Sequence, residues 1–373
     1  MRIFIIDTYY PAFLESIYIN NPQLMDRPYN DQKRFFYNSL FGTSDFYSFY
    51  LNKLGNNAEE FIANNLNLQK KWAEENIIRK QNIFFRIVDT IIPKIPYYRH
   101  LIPTRNELEI LSEQINKFKP DVIYNQNLGY LDPIFLRSIK SKAKLLVGQI
   151  ASPPPPKIFL KPYDLIITSF PHFVKKFKKM GIRSEYLKLC FDTRVLKKLK
   201  KYDRKLNLTF VGGITNSHQK SLDLLENVAK ETELKVWGYG RSNLDINSEL
   251  YKSHNGEAWG VDMYKIMLQS KITINRHIDV AENYANNMRL YEATGCGAML
   301  LTDEKQNLGD LFEVGKEVVT YKDKFDLIEK VQYYLSNNEE REKIAKAGQK
   351  RTFIDHTYKV RMRELETILN KYV

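Results

Sequence analysis

Apolar residues come in short runs along most of this chain, and most runs are followed by a stretch with helical spacing. In the first half the runs are residues 3–7, 121–124, 145–150, 164–168 and 184–189, with helices expected at 106–118, 133–139 and 171–180. Such alternation predicts strands of a parallel sheet with helices covering its faces. The rhythm stops at 192–205, a charged stretch without periodicity that reads as a linker. It restarts with strands at 206–211, 234–237, 271–275, 298–302 and 318–321. Helices are expected at 217–230, 261–269, 287–294, 308–312 and 325–336, and a last one at 355–370.

Residues 26–103 fit this pattern less well. They are rich in aromatics such as Phe35, Phe36, Tyr37, Phe46, Tyr47 and Phe49, and read as a helical insertion. Aromatics at helical spacing fill a core or shape an acceptor pocket. The expected organisation is an N-terminal Rossmann-like lobe at 1–195, a C-terminal Rossmann-like lobe at 206–354, and a terminal helix at 355–373 that crosses back onto the first lobe. Ligands of such sheets bind beyond the carboxyl ends of the strands, here in a cleft between lobes.

Composition changes little in this picture and excludes several classes. At 373 residues and 43% hydrophobic, the chain can build two cores. Its two cysteines, Cys190 and Cys296, form no disulfide framework or metal spacing. The apolar start, Ile3-Phe4-Ile5-Ile6, is too short for a signal segment, and no run long enough to span a bilayer follows. The expected location is the cytoplasm, at most peripheral at the inner membrane face. The net charge is +13, and residues 157–205 hold 15 Lys/Arg against four acids, Asp164, Glu185, Asp192 and Asp203. This window is either a solvated face or a patch for an anionic membrane, acceptor or polymer. No aromatic interleaving of a nucleic-acid motif accompanies it.

Three segments carry candidate chemistry. Gly212-Gly213 ends a strand before a helix, so backbone N–H groups can approach a phosphate, with His218 and Lys220 at the helix start. A simple tight turn is the alternative. Trp237-Gly238-Tyr239-Gly240 also ends a strand, and either ring can stack on a base or simply pack. The third segment joins Asn275-Arg276-His277 to Asn286-Asn287-Met288-Arg289-Leu290-Tyr291-Glu292. Arg289 and Glu292 share a helix face. The carboxylate can accept from two ribose hydroxyls and the guanidinium can neutralise a diphosphate. An ordinary surface ion pair is the other reading.

The stretch from Met263 to Tyr358 resembles the C-terminal domain of group-1-type glycosyltransferases, in the CgeB-like branch named for spore-maturation proteins. The resemblance rests on Gly260-Val261-Asp262-Met263-Tyr264, Ser270-Lys271-Ile272-Thr273-Ile274-Asn275, Met288-Arg289-Leu290-Tyr291-Glu292-Ala293-Thr294-Gly295, Leu311-Phe312-Glu313-Val314-Gly315 and His356-Thr357-Tyr358. It implies the GT-B fold, with Glu292 on the ribose, Gly212, Gly213 and Arg289 near the diphosphate, and Gly260 and Val261 near the base. It implies a hexosyltransferase using a UDP, GDP or dTDP sugar as co-substrate, with no tightly bound cofactor or metal. The acceptor would be a glycan, a lipid-linked saccharide or a surface protein. Many relatives carry a second Glu where this chain has Tyr284, which leaves Asn275, His277 or Asn287 to meet the sugar. Retaining relatives often carry H-x-H after the strand equivalent to 121–124, where this chain has Asn125-Gln126-Asn127 and no imidazole.

Glycosyl transfer needs stabilisation of the leaving diphosphate and a positioned acceptor. No D-x-D is present in the sequence. The catalytic candidates of the first lobe are Asp7, which can also merely cap a turn, His172 and Asn127. A retaining reaction would need no base. The alternatives to a transferase are a sugar-nucleotide epimerase of the same fold and a non-catalytic sugar-binding or coat protein.

Overall fold

The structure, a computed structural model, describes residues 1–76, 103–199, 202–214 and 219–373, with the backbone alone for 219–221. Strand β1 (Arg2–Asp7) buries Ile3, Phe4, Ile5 and Ile6 completely. Continuous burial is what a central strand of a parallel sheet requires, since both faces are covered. Around it lie β2 (Asn57–Ile62), β3 (Val122–Asn125), β4 (Leu145–Ile150), β5 (Leu165–Thr168) and β6 (Ser184–Tyr186), in the order β2-β1-β3-β4-β5-β6. Every pairing is parallel.

A second sheet holds β7 (Leu206–Val211), β8 (Leu234–Trp237), β9 (Ser270–Asn275), β10 (Met299–Asp303) and β11 (Val319–Tyr321). Its order is β11-β10-β9-β7-β8, again all parallel. Strand order reverses between β7 and β9. Connecting segments diverge at such a switch point and open a crevice at the carboxyl ends.

The chain divides into two compact units. One comprises Met1–Thr168, Phe173–Tyr186 and Met362–Val373, and the other Ser169–His172 and Leu187–Arg361. Within the first, the last segment is held by Asn56 Nδ2 donating to Glu366 Oε1 at 2.6 Å and by Tyr372 Oη donating to Glu185 Oε1 at 2.8 Å.

Several expectations need correction. The part of 26–103 that is described is not wholly helical: β2 lies within it, beside helices Tyr29–Asn38, Phe46–Lys53 and Leu66–Asn76. β2 hides as a strand because two of its residues are Glu59 and Glu60, and Glu60 is buried. Its carboxyl, pushed up to about 8 by burial, accepts from Ser48 N at 2.7 Å. The rest of that insertion, 77–102, lies outside the described residues. The expected helix 308–312 is a single turn, Leu308–Asp310, and the strand expected at 184–189 stops at Tyr186. The linker at 192–205 contains a short helix, Arg194–Lys198, and its Asp192 is buried against Arg194.

The unexpected helix Asn338–Asp355 matters for the site. Its buried face mixes Arg341, Gly348 and Thr352 with Ile344 and Ala345, which join the core of the second sheet, so no regular apolar stripe marks it in sequence. It braces the helix Met288–Gly295. Thr352 Oγ1 lies 2.7 Å from Thr294 Oγ1, and Gln349 Nε2 donates to Gly295 O at 2.9 Å. A Cβ on Gly348 would stand 2.3 Å from the Glu317 carbonyl oxygen. Backbone cannot yield as a side chain does, so Gly348→Ala should cost about 1–3 kcal/mol of stability. Urea unfolding measures this, and an unchanged midpoint would contradict the packing described.

Candidate functional site

The second unit gathers its candidate residues at the carboxyl ends of β7, β8 and β9. Asn287 caps the helix Met288–Gly295, its Oδ1 accepting from Leu290 N at 3.3 Å. The same side chain donates to Asn275 Oδ1 at 2.8 Å and Arg276 O at 3.3 Å. Asn275 in turn donates to Thr302 Oγ1 at 2.9 Å, and its carbonyl accepts from Tyr321 Oη at 2.9 Å. One chain of hydrogen bonds thus fixes the helix N-terminus to the ends of β9, β10 and β11. A helix start carries partial positive charge and unpaired N–H groups, so it suits an anion.

Met288 and Arg289 begin that helix. Arg289 pairs with Glu292 and its Nη1 touches Met263 Sδ at 2.9 Å. Tyr264 Oη donates to the other Glu292 oxygen at 3.4 Å. The surface-pair reading fails, because the Glu292 side chain is 5% exposed and that of Arg289 20%. Burying such a pair has a desolvation cost that an exposed pair avoids.

The glycine segments are built for close backbone approach. Gly212 N donates to Trp237 O at 2.9 Å and Ile214 N to Tyr239 O at 2.8 Å, so the two loops run on as a pair beyond β7 and β8. Gly238 has φ +149°, and a Cβ there would lie 1.9 Å from Gly212 O. The Gly212 N–H is therefore spent on the protein itself. Among the described residues, Gly213 N has no such partner, and a Cβ on Gly213 would strike the Tyr239 ring at 2.3 Å. His218 lies outside the described residues, and Lys220 is described only in its backbone.

Tyr239 stacks on Trp259 with centroids 5.8 Å apart and planes at 10°. Trp259 is the N-cap residue of helix Gly260–Gln269, which places Gly260 and Val261 directly beside the pair. Both rings are half-buried, as a platform open to a flat ligand would be. Sequence reasoning missed Trp259, since it lies 20 residues from Tyr239 with no local spacing to join them.

His277 is buried against Asp303: Nδ1 stands 2.7 Å from Asp303 Oδ1, which also accepts from His277 N at 3.1 Å. Burial would push the Asp303 carboxyl up, but His277 and the Lys305 ammonium 3.3 Å away hold it below the usual range. His277 Nε2 is buried and has no hydrogen-bond partner among the described residues. His172, expected with the first lobe, belongs to the second unit. Its Nε2 lies 3.2 Å from Val280 O and its ring stacks on Tyr284 at 4.8 Å.

In the first unit Asp7 ends β1. Its Oδ1 accepts from Thr8 N at 2.7 Å and its Oδ2 from Thr43 Oγ1 at 3.1 Å. Thr43 also lies 2.9 Å from Gln126 Oε1, and Asn127 Nδ2 donates to Thr8 Oγ1 at 2.8 Å. The loop that carries Thr43 holds Leu40, Gly42 and Ser44 at φ +56°, +58° and +48°. Two of these are not glycine, so the loop stores strain of the kind that clusters at functional sites. Asn127 spends its Oδ1 on Gly129 N at 3.0 Å, which makes it a loop brace. Burial pushes the Asp7 carboxyl up to about 6, against the pull of the Thr8 and Thr43 bonds.

Residues 219–367 match the family described as glycosyl transferase-like. No curated protein matches the chain in sequence. In structure the chain is similar to HepE from Anabaena, solved with UDP and glucose, with TM-score 0.58, 12% identity and 100% of each chain covered. It is also similar to a glycosyltransferase from Rickettsia africae, with TM-score 0.57, 14% identity, and 99% of this chain and 98% of that one covered. A sucrose-phosphate synthase from Thermosynechococcus elongatus gives TM-score 0.52 at 10% identity over 75% and 80% of the two chains. The fold is GT-B, two parallel α/β sheets, and its second unit carries a glycosyl transferase-like domain.

The Asp7 carboxyl titrates at about 6 in the folded chain, above its ordinary 3.8. A raised acid favours the protonated native state, so its ionisation costs stability as pH rises from about 4 through about 6. Asp7→Asn removes that cost. The variant should gain stability relative to the native protein across this window and hold the gain above it, as paired thermal melts would register. A difference independent of pH would refute the assignment.

Proposed function

We propose that the chain is a glycosyltransferase of the CgeB-like branch that moves a hexose from a nucleoside-diphosphate sugar. The observation that carries this reading is the pinned helix start at Asn287, inside the segment matching a glycosyl transferase-like family. The diphosphate lies at the N-terminus of Met288–Gly295, neutralised by Arg289 and helped by the Gly213 N–H. Glu292, whose two oxygens have lone pairs beyond those used by Arg289 and Tyr264, accepts from the ribose hydroxyls. The base stacks on Tyr239 and Trp259 near Gly260 and Val261. That HepE was solved with UDP and glucose supports a nucleoside-diphosphate sugar, whether of UDP, GDP or dTDP, as the donor.

Charge builds on the leaving diphosphate as the glycosidic bond breaks. A fixed positive charge and oriented N–H groups at that point stabilise the transition state without reorganising. No resident metal is assigned this task, in keeping with the absence of D-x-D from the sequence. The buried His277, oriented by Asp303, stands beside Asn275 to meet the sugar. Asp7 is the base of the first unit, taking the proton from an acceptor hydroxyl on a saccharide, lipid-linked saccharide or protein. The basic residues within 157–205 meet an anionic surface.

Arg289→Ala and Glu292→Ala should each weaken donor binding about 10- to 100-fold, since hydrogen bonds to charged groups are worth about 1.5–3 kcal/mol. Titration calorimetry with the donor found by a thermal-shift screen reads this directly, and unchanged affinity in both variants would sink the reading. Turnover should rise with pH through about 6 and be lost in Asp7→Asn. A pH profile flat across that range would remove Asp7 as the base. Incubation with donor alone distinguishes an epimerase, which would alter the sugar without any acceptor.

A further inference from the structure

Helices Pro133–Lys140, Lys157–Leu160 and Pro171–Lys179 connect β3 to β4, β4 to β5 and β5 to β6. These strands follow one another in one direction across the sheet. Right-handed crossovers therefore put all three helices on one face. Their inward positions are apolar: Phe135, Leu136 and Ile139, then Leu160, then Phe173 and Phe177. Their outward positions contain no acidic residue at all. Arg137, Lys157, Lys175, Lys176, Lys178 and Lys179 are exposed there. Asp164, next to this face, is already paired with Lys140 at 2.6 Å.

Two outward residues are not charged. Ile134 is 78% exposed and Ile158 55%, on two helices that pack against each other. A lone exposed isoleucine means little. Two on adjacent helices, set in a basic face that lacks acids, match the composition of surfaces that lie in a membrane interface. Close by is a cleft of about 460 Å³ lined by Lys157, Lys161, Tyr163, Asp164 and Arg183. Three of those side chains are cationic and exposed. Nucleic acid fits less well, because no Phe or Tyr on these helices is exposed to stack on a base.

We propose that this face docks on a bilayer containing anionic lipid, with Ile134 and Ile158 entering the headgroup boundary and the Lys157–Arg183 cleft taking a lipid phosphate. This deepens the reading of an anionic surface made above and narrows it. Of the window 157–205 the proposed face uses only residues of the first unit; those from Leu187 onward belong to the second. Arg137 and Ile134, outside the window, take part instead. The donor assignment plays no role, so vesicle binding stands or falls apart from it.

Co-sedimentation of the whole chain with phosphatidylcholine vesicles, with and without phosphatidylglycerol, tests the proposal. Binding should require the anionic lipid and weaken at high salt. Lys157→Gln with Lys161→Gln should lower it about fivefold per charge removed. Ile134→Ser with Ile158→Ser should lower it about tenfold or more, and this loss should persist when salt is varied. All four side chains are exposed, and unchanged melting temperatures would show that the variants fold. The proposal is overturned if neutral vesicles bind equally, if anionic vesicles fail to bind at low salt, or if the isoleucine variant binds like the native chain. Binding of inorganic phosphate without vesicle binding overturns it as well.

Discussion

The second unit depends on one hydrogen bond, Asn287 Nδ2 to Asn275 Oδ1 at 2.8 Å. It ties a helix start to the end of a central strand at the point where strand order reverses. Through Asn275 the tie extends to Thr302 and Tyr321 on the next two strands. The N–H groups of the helix are aimed by this network before any ligand arrives. Preorganisation of that kind is what makes a dipole useful in catalysis, because no energy goes into turning it during the reaction.

The other features arrange themselves around that anchor. Helix Asn338–Asp355 braces the far end of Met288–Gly295 through Thr352 and Gln349. Arg289 and Glu292 lie on the first turns, buried together and steadied by Tyr264. The paired loops after β7 and β8 bring Gly213 and Tyr239 into contact distance only because glycines stand at 212, 213, 238 and 240. In the first unit a strained loop presents Thr43 to Asp7. Both units thus place polar groups at strand ends, where unfilled hydrogen-bonding capacity accumulates.

Much of this was legible from residues alone. Parallel strands buried on both faces read as apolar runs, so β1, β3, β4, β5 and the five strands of the second sheet were found close to their true limits. β2 is hidden because Glu59 and Glu60 interrupt its pattern, and helix Asn338–Asp355 because its inward face intersperses Arg341, Gly348 and Thr352 with Ile344 and Ala345. Arg289 and Glu292 were visible at three-residue spacing, but spacing could not tell a buried pair from an exposed one. The His277–Asp303 bond and the Tyr239–Trp259 stack join residues far apart in sequence. No local pattern encodes such pairs; only the strand order brings them together. The His172–Tyr284 stack is hidden for the same reason, since the two residues are more than a hundred apart.

The central claim is that a nucleoside-diphosphate sugar sits at the start of helix Met288–Gly295. Amide hydrogen exchange with and without a saturating nucleoside diphosphate tests it most directly, because it reports where the backbone is covered. The account predicts added protection at Gly213 and at residues 288–290, with little change at the far end of the same helix. Protection confined to other segments, or none at the helix start under saturation, would contradict it.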